Sequence, residues 1–186
     1  MKIDYNAPFT LTFSLLCLIV FLLNTVFPGV TSSFFTLFPE FNLADPSWWM
    51  RLCGYVFGHA DLNHLIGNLS FILLLGPLLE EKYGTKYLLI MCICVALITS
   101  IIFISFYNFA LLGASGIVFM FIMLTSFSNV KANHIPLTFL LVLVLFLGKE
   151  IMDSFKADQI SQSAHLIGGI CGSFFGFYLL KMRSVR

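Results

Sequence analysis

Gly113-Ala114-Ser115-Gly116-Ile117-Val118-Phe119-Met120-Phe121-Ile122-Met123-Leu124-Thr125-Ser126-Phe127-Ser128-Asn129 is an apolar run with a serine near its start and Lys131 just beyond its end. A bilayer core about 30 Å thick takes about 20 apolar residues as helix, and a run of this kind reads as one span. Five comparable runs surround it, at approximately 9–27, 63–80, 86–107, 135–152 and 163–181. The expected fold is therefore all-α, a polytopic bundle of six transmembrane helices with 113–129 as the fourth. No fixed-period repeat and no soluble linker divides residues 1–186, so one membrane domain is expected.

Composition points the same way. The chain is 59% hydrophobic and 10% charged, with a mean hydropathy of +0.97, outside the balance of a soluble domain. A net charge of +1 and the lack of a basic run interleaved with aromatics set nucleic acid aside. Cys17, Cys53, Cys92, Cys94 and Cys171 are odd in number and scattered, which indicates neither a disulfide framework nor a thiolate metal site. Residues 9–27 are too long for a signal-peptide core and lack a small-residue cleavage site, so they read as a retained first span. Between the first two spans, 28–61 carries Pro39, Pro46, Trp48, Trp49 and Arg51 and is expected to form a structured interfacial loop. His59 and His134, near span ends, are expected at the interface as well.

An even number of spans puts both termini on one side. Lys2, Lys82, Lys86, Lys131, Lys181, Arg183 and Arg186 then share that side, against Arg51, Lys149 and Lys156 on the other. Seven against three favours cytoplasmic termini. A bacterial plasma membrane is the expected location.

Polar groups within spans are costly and are functional candidates by default, which singles out His64, Asn68, Ser115 and His165. Ser115 lies sixteen residues before Lys131, and His165 sixteen before Lys181. At 1.5 Å per residue each sits about 24 Å above its lysine. Asn68 and His64 precede Lys82 by fourteen and eighteen residues, giving heights of about 21 and 27 Å. All four fall in one layer, and a single polar pocket accounts for them. Gly113-Ala114-Ser115-Gly116 is a poor helical opening, so Ser115 is expected at a recessed helix N-terminus, where unpaired N–H groups favour developing negative charge. Gly168, Gly169, Gly172 and Gly176 follow His165 on one face and let another helix approach closely. Close approach would bring the imidazole within reach of the serine hydroxyl, as general-base activation requires.

Three segments, His59-Ala60-Asp61-Leu62-Asn63-His64-Leu65-Ile66-Gly67-Asn68, Gly113-Ala114-Ser115-Gly116 and Ala164-His165-Leu166-Ile167-Gly168 followed by Gly172, together resemble the signatures of the rhomboid intramembrane serine proteases. The resemblance implies a Ser115–His165 dyad with no third acid, and an oxyanion held by His64, Asn68 and the Ser115 backbone N–H. It gives supporting places to His59, Gly113, Gly116, Phe119, Gly168 and Gly172, and matches Glu80 to a carboxylate at the inner end of span two. It implies transmembrane protein substrates, a cap formed by Asp153–Gln162, and a mobile fifth span. Two positions depart from the pattern: Phe119 stands where many relatives have tyrosine, and Trp49-Met50-Arg51 interrupts the usual Trp-Arg pair.

Other readings are weaker. A metal or haem site among the histidines lacks a carboxylate or thiolate cluster at ligand spacing, so neither metal nor cofactor is expected. A soluble hydrolase elbow would need glycine at Ile117. A transporter would predict inverted repeats. A non-catalytic rhomboid-like protein that binds or chaperones membrane clients remains the alternative from a different class, with Ser115, His165, His64 and Asn68 weighing against it. Oligomeric state is left open.

Overall fold

The computed structural model describes residues 3–127, 134–153 and 162–183. Lys2, Lys131, Lys156 and Arg186, used above for orientation, lie outside the described residues, as does most of the expected Asp153–Gln162 cap. Within the described residues the chain is helical, and the one extended pairing is an isolated bridge between Leu37 and Leu111.

Eight helices follow in order: α1 Pro8–Val26, α2 Val30–Phe34, α3 Pro46–Gly54, α4 Leu62–Tyr83, α5 Thr85–Phe106, α6 Ser115–Thr125, α7 Leu137–Asp153 and α8 Gln162–Arg183, with a 3-10 turn at Tyr55–Phe57. Three of them, α1, α4 and α5, are long and apolar enough to cross a bilayer, while α6 is apolar but shorter. The 28–61 segment is more ordered than a loop. Asp45 caps α3 by accepting from the Ser47 amide at 2.9 Å, with Pro46 at the first helical position, where its missing N–H costs nothing. Asp61 caps α4 in the same way, accepting from the His64 amide at 2.9 Å.

One buried apolar cluster runs through the bundle, from Phe13 on α1 through Leu65, Ile72 and Leu79 on α4, and Leu88, Val95 and Phe103 on α5, to Ile117, Met120, Phe121 and Leu124 on α6. The outward faces are also apolar: Leu16, Leu22, Leu74, Ile101, Leu141 and Phe174 are exposed. An apolar exterior around an apolar core suits lipid, since in water such patches would aggregate.

At one end Glu80 joins three helices. Its carboxylate accepts from the Phe9 and Thr10 amides at 2.8 and 3.0 Å, from Thr10 Oγ1 at 2.8 Å and from Thr85 Oγ1 at 2.7 Å. The first amides of α1 have no partner within their own helix, and an anion is the favoured group to meet them. Lys82, half a turn further along α4, donates to the Phe127 carbonyl at 2.6 Å, just beyond the end of α6.

Helix α6 is the hub, packing on α4, α5, α7 and α8. Its eleven residues make it about 16 Å long, roughly half a bilayer core. The chain entering it is anchored rather than helical: Leu37 and Leu111 exchange backbone bonds at 2.8 and 2.9 Å, and the Gly113 amide donates to the Tyr55 carbonyl at 2.9 Å. Helix formation thus begins at Ser115, two residues inside the expected 113–129 run, and ends at Thr125.

Candidate active site

Gly113 adopts φ +118°, a left-handed conformation open to glycine and strained for other residues. Its bare α-carbon also makes room. A Cβ placed there would lie 2.6 and 2.7 Å from His64 Cε1 and Nε2, and 3.8 Å from Asn68 Nδ2. Two α4 side chains, one turn apart, therefore converge on the backbone two residues before Ser115. Ala114 supplies no side-chain cap, so the first turn of α6 keeps its N–H groups free of such a bond.

The orientation of Asn68 is set by His59. His59 Nδ1 lies 3.2 Å from the Phe57 carbonyl, and its Nε2 lies 3.0 Å from Asn68 Nδ2. A carbonyl accepts only, so Nδ1 carries the proton and Nε2 accepts from the amide of Asn68. Burial first, and then the neighbouring His64, hold the His59 pKa down at about 4, which keeps this neutral tautomer in place. The His59 and His64 rings meet edge to face at 5.0 Å. His59 is 2% exposed, because the turn from Gly58 to Asp61 folds it under the start of α4. The second amide proton of Asn68 is left for another acceptor.

On the other side of Ser115, α6 and α8 touch backbone to backbone. A Cβ on Gly168 would fall on the Gly116 carbonyl oxygen. One on Gly116 would lie 3.2 Å from the Ala164 carbonyl, and one on Gly172 would lie 2.6 Å from the Met120 carbonyl. The residue after Ser115 is thus packed against the residue before His165. Phe119, one turn beyond Ser115, has its ring 4.4 Å from that of His165 at 34°. His165 is 7% exposed and Ser115 half-buried. Phenylalanine at 119 keeps the ring packing. It carries no hydroxyl.

The interrupted Trp-Arg pair has a structural explanation. Trp48 and Arg51 are three apart on α3 and share its buried face, while Trp49 and Met50 are exposed. Arg51 donates to the Asp45 carboxylate at 2.7 Å and lies 5.4 Å from the centre of the Phe38 ring. Trp48 Nε1 donates to the Glu40 carbonyl at 2.7 Å. The Asp45 carboxyl is held below its ordinary pKa, chiefly by Ser47 and then by Arg51.

Sequence reading missed Phe146 and Tyr107. Phe146 on α7 lies 4.5 Å from the Phe119 ring and lines the space beside Gly169. Tyr107 bonds to Ser163, two residues before His165. Both sit in apolar or loop stretches with no local signal of their own. Among the described residues, no group of three or more His, Cys, Asp or Glu side chains is placed to hold a metal ion.

Comparison with known proteins fits this arrangement. Residues 46–182, from α3 through nearly all of α8, match the model of the Rhomboid domain. The chain is similar to rhomboid-related protein 1 of Caenorhabditis elegans, 34% identical over 176 residues that cover 84% of this chain and 45% of that protein. It spans less than half of that relative's length. It is also similar to rhomboid protease GlpG of Haemophilus influenzae, 24% identical over 178 residues, covering 94% of this chain and 92% of that one. An all-helical bundle with an apolar exterior, matched to that domain across most of its length, belongs to the rhomboid family.

Proposed function

We propose that this chain is an intramembrane serine endopeptidase that hydrolyses peptide bonds within or near transmembrane segments of membrane proteins, with Ser115 as nucleophile and His165 as general base. The observation that carries the reading is the glycine seam. Gly116 on Ala164 and Gly168 on Gly116 set Ser115 and His165 on directly apposed first turns, and Phe119 holds the imidazole ring.

In this reaction the Ser115 hydroxyl attacks the scissile carbonyl while His165 takes its proton. The tetrahedral oxyanion meets the Ser115 N–H at the positive end of α6, with His64 and Asn68 donating from α4. Collapse expels the amine, protonated by His165, and leaves an acyl-enzyme. Water, deprotonated by the same histidine, then releases the acid. The GlpG relative is named a rhomboid protease, and its likeness over nearly the whole of both chains supports the reading. Six spans, cytoplasmic termini and a plasma-membrane location complete the proposal. They rest on the six long apolar runs and on the lysine and arginine distribution.

The test is to incubate detergent-solubilised protein with a transmembrane substrate and, separately, with a fluorophosphonate probe. Wild type is expected to cleave and to be labelled at Ser115, while Ser115→Ala and His165→Ala do neither. Equal cleavage by Ser115→Ala, or labelling of a different serine, sinks the dyad. Asn68→Ala is expected to lower kcat by about 10²- to 10³-fold, the usual cost of one oxyanion donor.

A further inference from the structure

The Tyr107 hydroxyl donates to Ser163 Oγ at 2.5 Å, tying the end of α5 to the first turn of α8 across 56 residues of sequence. Tyr107 is already immobilised by its own surroundings. Its amide donates to the Phe103 carbonyl at 3.0 Å, its ring stacks on Phe103 at 4.5 Å and 19°, and Phe109 meets it edge-on at 5.4 Å. Phe103 is fully buried. A ring held in this way loses little further freedom when its hydroxyl bonds, so the bond constrains Ser163 more than Tyr107.

Ser163 is two residues before His165. At about 100° per residue the two lie about 200° apart around the α8 axis. The first turn of α8 therefore presents His165 toward Phe119 on α6 and Ser163 toward Tyr107 on the other side. Ala164 between them rests on Gly116.

We propose that Tyr107 is a positioning residue for the general base: its bond to Ser163 pins the first turn of α8 from the side away from His165 and sets how the imidazole is presented to Ser115. The proposal rests on the dyad reading above. Without the pin, α8 is still held by Gly168 and Gly172 against α6, one and two turns further along. The fold should therefore survive while the first turn shifts.

The experiment compares wild type, Tyr107→Phe, Ser163→Ala, the double variant and Ser163→Thr with one transmembrane substrate, measuring kcat and KM separately. Amide hydrogen exchange is followed across the whole chain in parallel. Each single variant is expected to lose about tenfold in kcat, below the roughly 10²-fold cost of a 1 Å misplacement, with KM within about twofold. The double variant should be no slower than the worse single one, because both remove the same bond. Ser163→Thr, which keeps the hydroxyl, should approach wild type. Exchange should quicken at Ala164, His165 and Leu166 in Tyr107→Phe while α1 and α4 stay protected. Wild-type kcat in Tyr107→Phe, losses that add in the double variant, or a lower kcat without faster exchange in the first turn of α8 overturns the proposal. A wild type that neither cleaves nor takes up the fluorophosphonate overturns the dyad reading and the positioning role with it. An active wild type with an unaffected Tyr107→Phe overturns the positioning role alone.

Discussion

Ser115 has two flanks built on opposite principles. Toward α8 it is bounded by backbone packed on backbone, where Gly168 and Gly172 leave no space for a single added carbon and Gly116 leaves little. Toward α4 it is bounded by polar side chains whose orientation descends through bonds from Phe57 to His59 to Asn68. The first flank works by omission: without β-carbons α6 and α8 come close, which is what the proposed dyad requires. The second works by direction, since in the proposed mechanism an oxyanion donor is useful only if aimed. The two should fail differently. Errors on the glycine flank should cost the fold, and errors on the polar flank should cost rate.

The largest effect is expected from Gly168→Val. Its β-carbon would strike the Gly116 carbonyl, a backbone atom that cannot swing aside, so destabilisation of about 3 kcal/mol or more is expected. Unfolding in mixed micelles would measure it. A Gly168→Val protein as stable as wild type would mean that the seam is not close-packed.

His59→Ala probes the other flank and should lower kcat by about tenfold, less than loss of Asn68 itself, because only the aim of the amide is lost. The same histidine gives a pH signature. Its folded pKa, about 4, lies below the ordinary value of 6.5, so the unfolded chain takes up a proton that the fold refuses. Its contribution to stability is whole above about pH 6.5 and is lost as pH falls from there through about 4. Unfolding midpoints across that window should slope less in His59→Ala than in wild type. Equal slopes would place the titration elsewhere.

The smallest effect sharpens the contrast from the side of a glycine without a neighbour. A Cβ on Gly67, between the His64 and Asn68 turns of α4, would meet nothing within 4 Å among the described residues. Gly67→Ala should stabilise by about 0.5–1 kcal/mol through helix propensity and leave cleavage unchanged. A loss there would reveal a packing partner for α4 outside the described residues.

Much of this arrangement is legible in the chain itself. A membrane helix must satisfy its backbone internally and present apolar side chains all round, so its existence is written locally as a long apolar run. The glycines after His165 and the spacing of His64 and Asn68 are local in the same sense: helical period alone puts each set on one face. The depth of Ser115 is less so, because the count of sixteen residues to Lys131 assumes helix throughout and α6 ends at Thr125.

Other features are not local, and there the counting ends. His59 looks interfacial by position, and only the turn that buries it shows that it orients Asn68. Glu80 reads as an end-of-span carboxylate, yet its partners Phe9 and Thr10 lie 71 and 70 residues away. Tyr107 and Ser163 carry no motif at all. The 28–61 segment reads as loop because its helices are short and depend on caps and burial rather than on length. Sequence by itself determined an all-helical membrane bundle and the glycine face, since each depends on period, length and composition. Tertiary structure decided which polar groups hold one another and where α6 begins, since those depend on hydrogen bonds that exist only when distant segments are brought together.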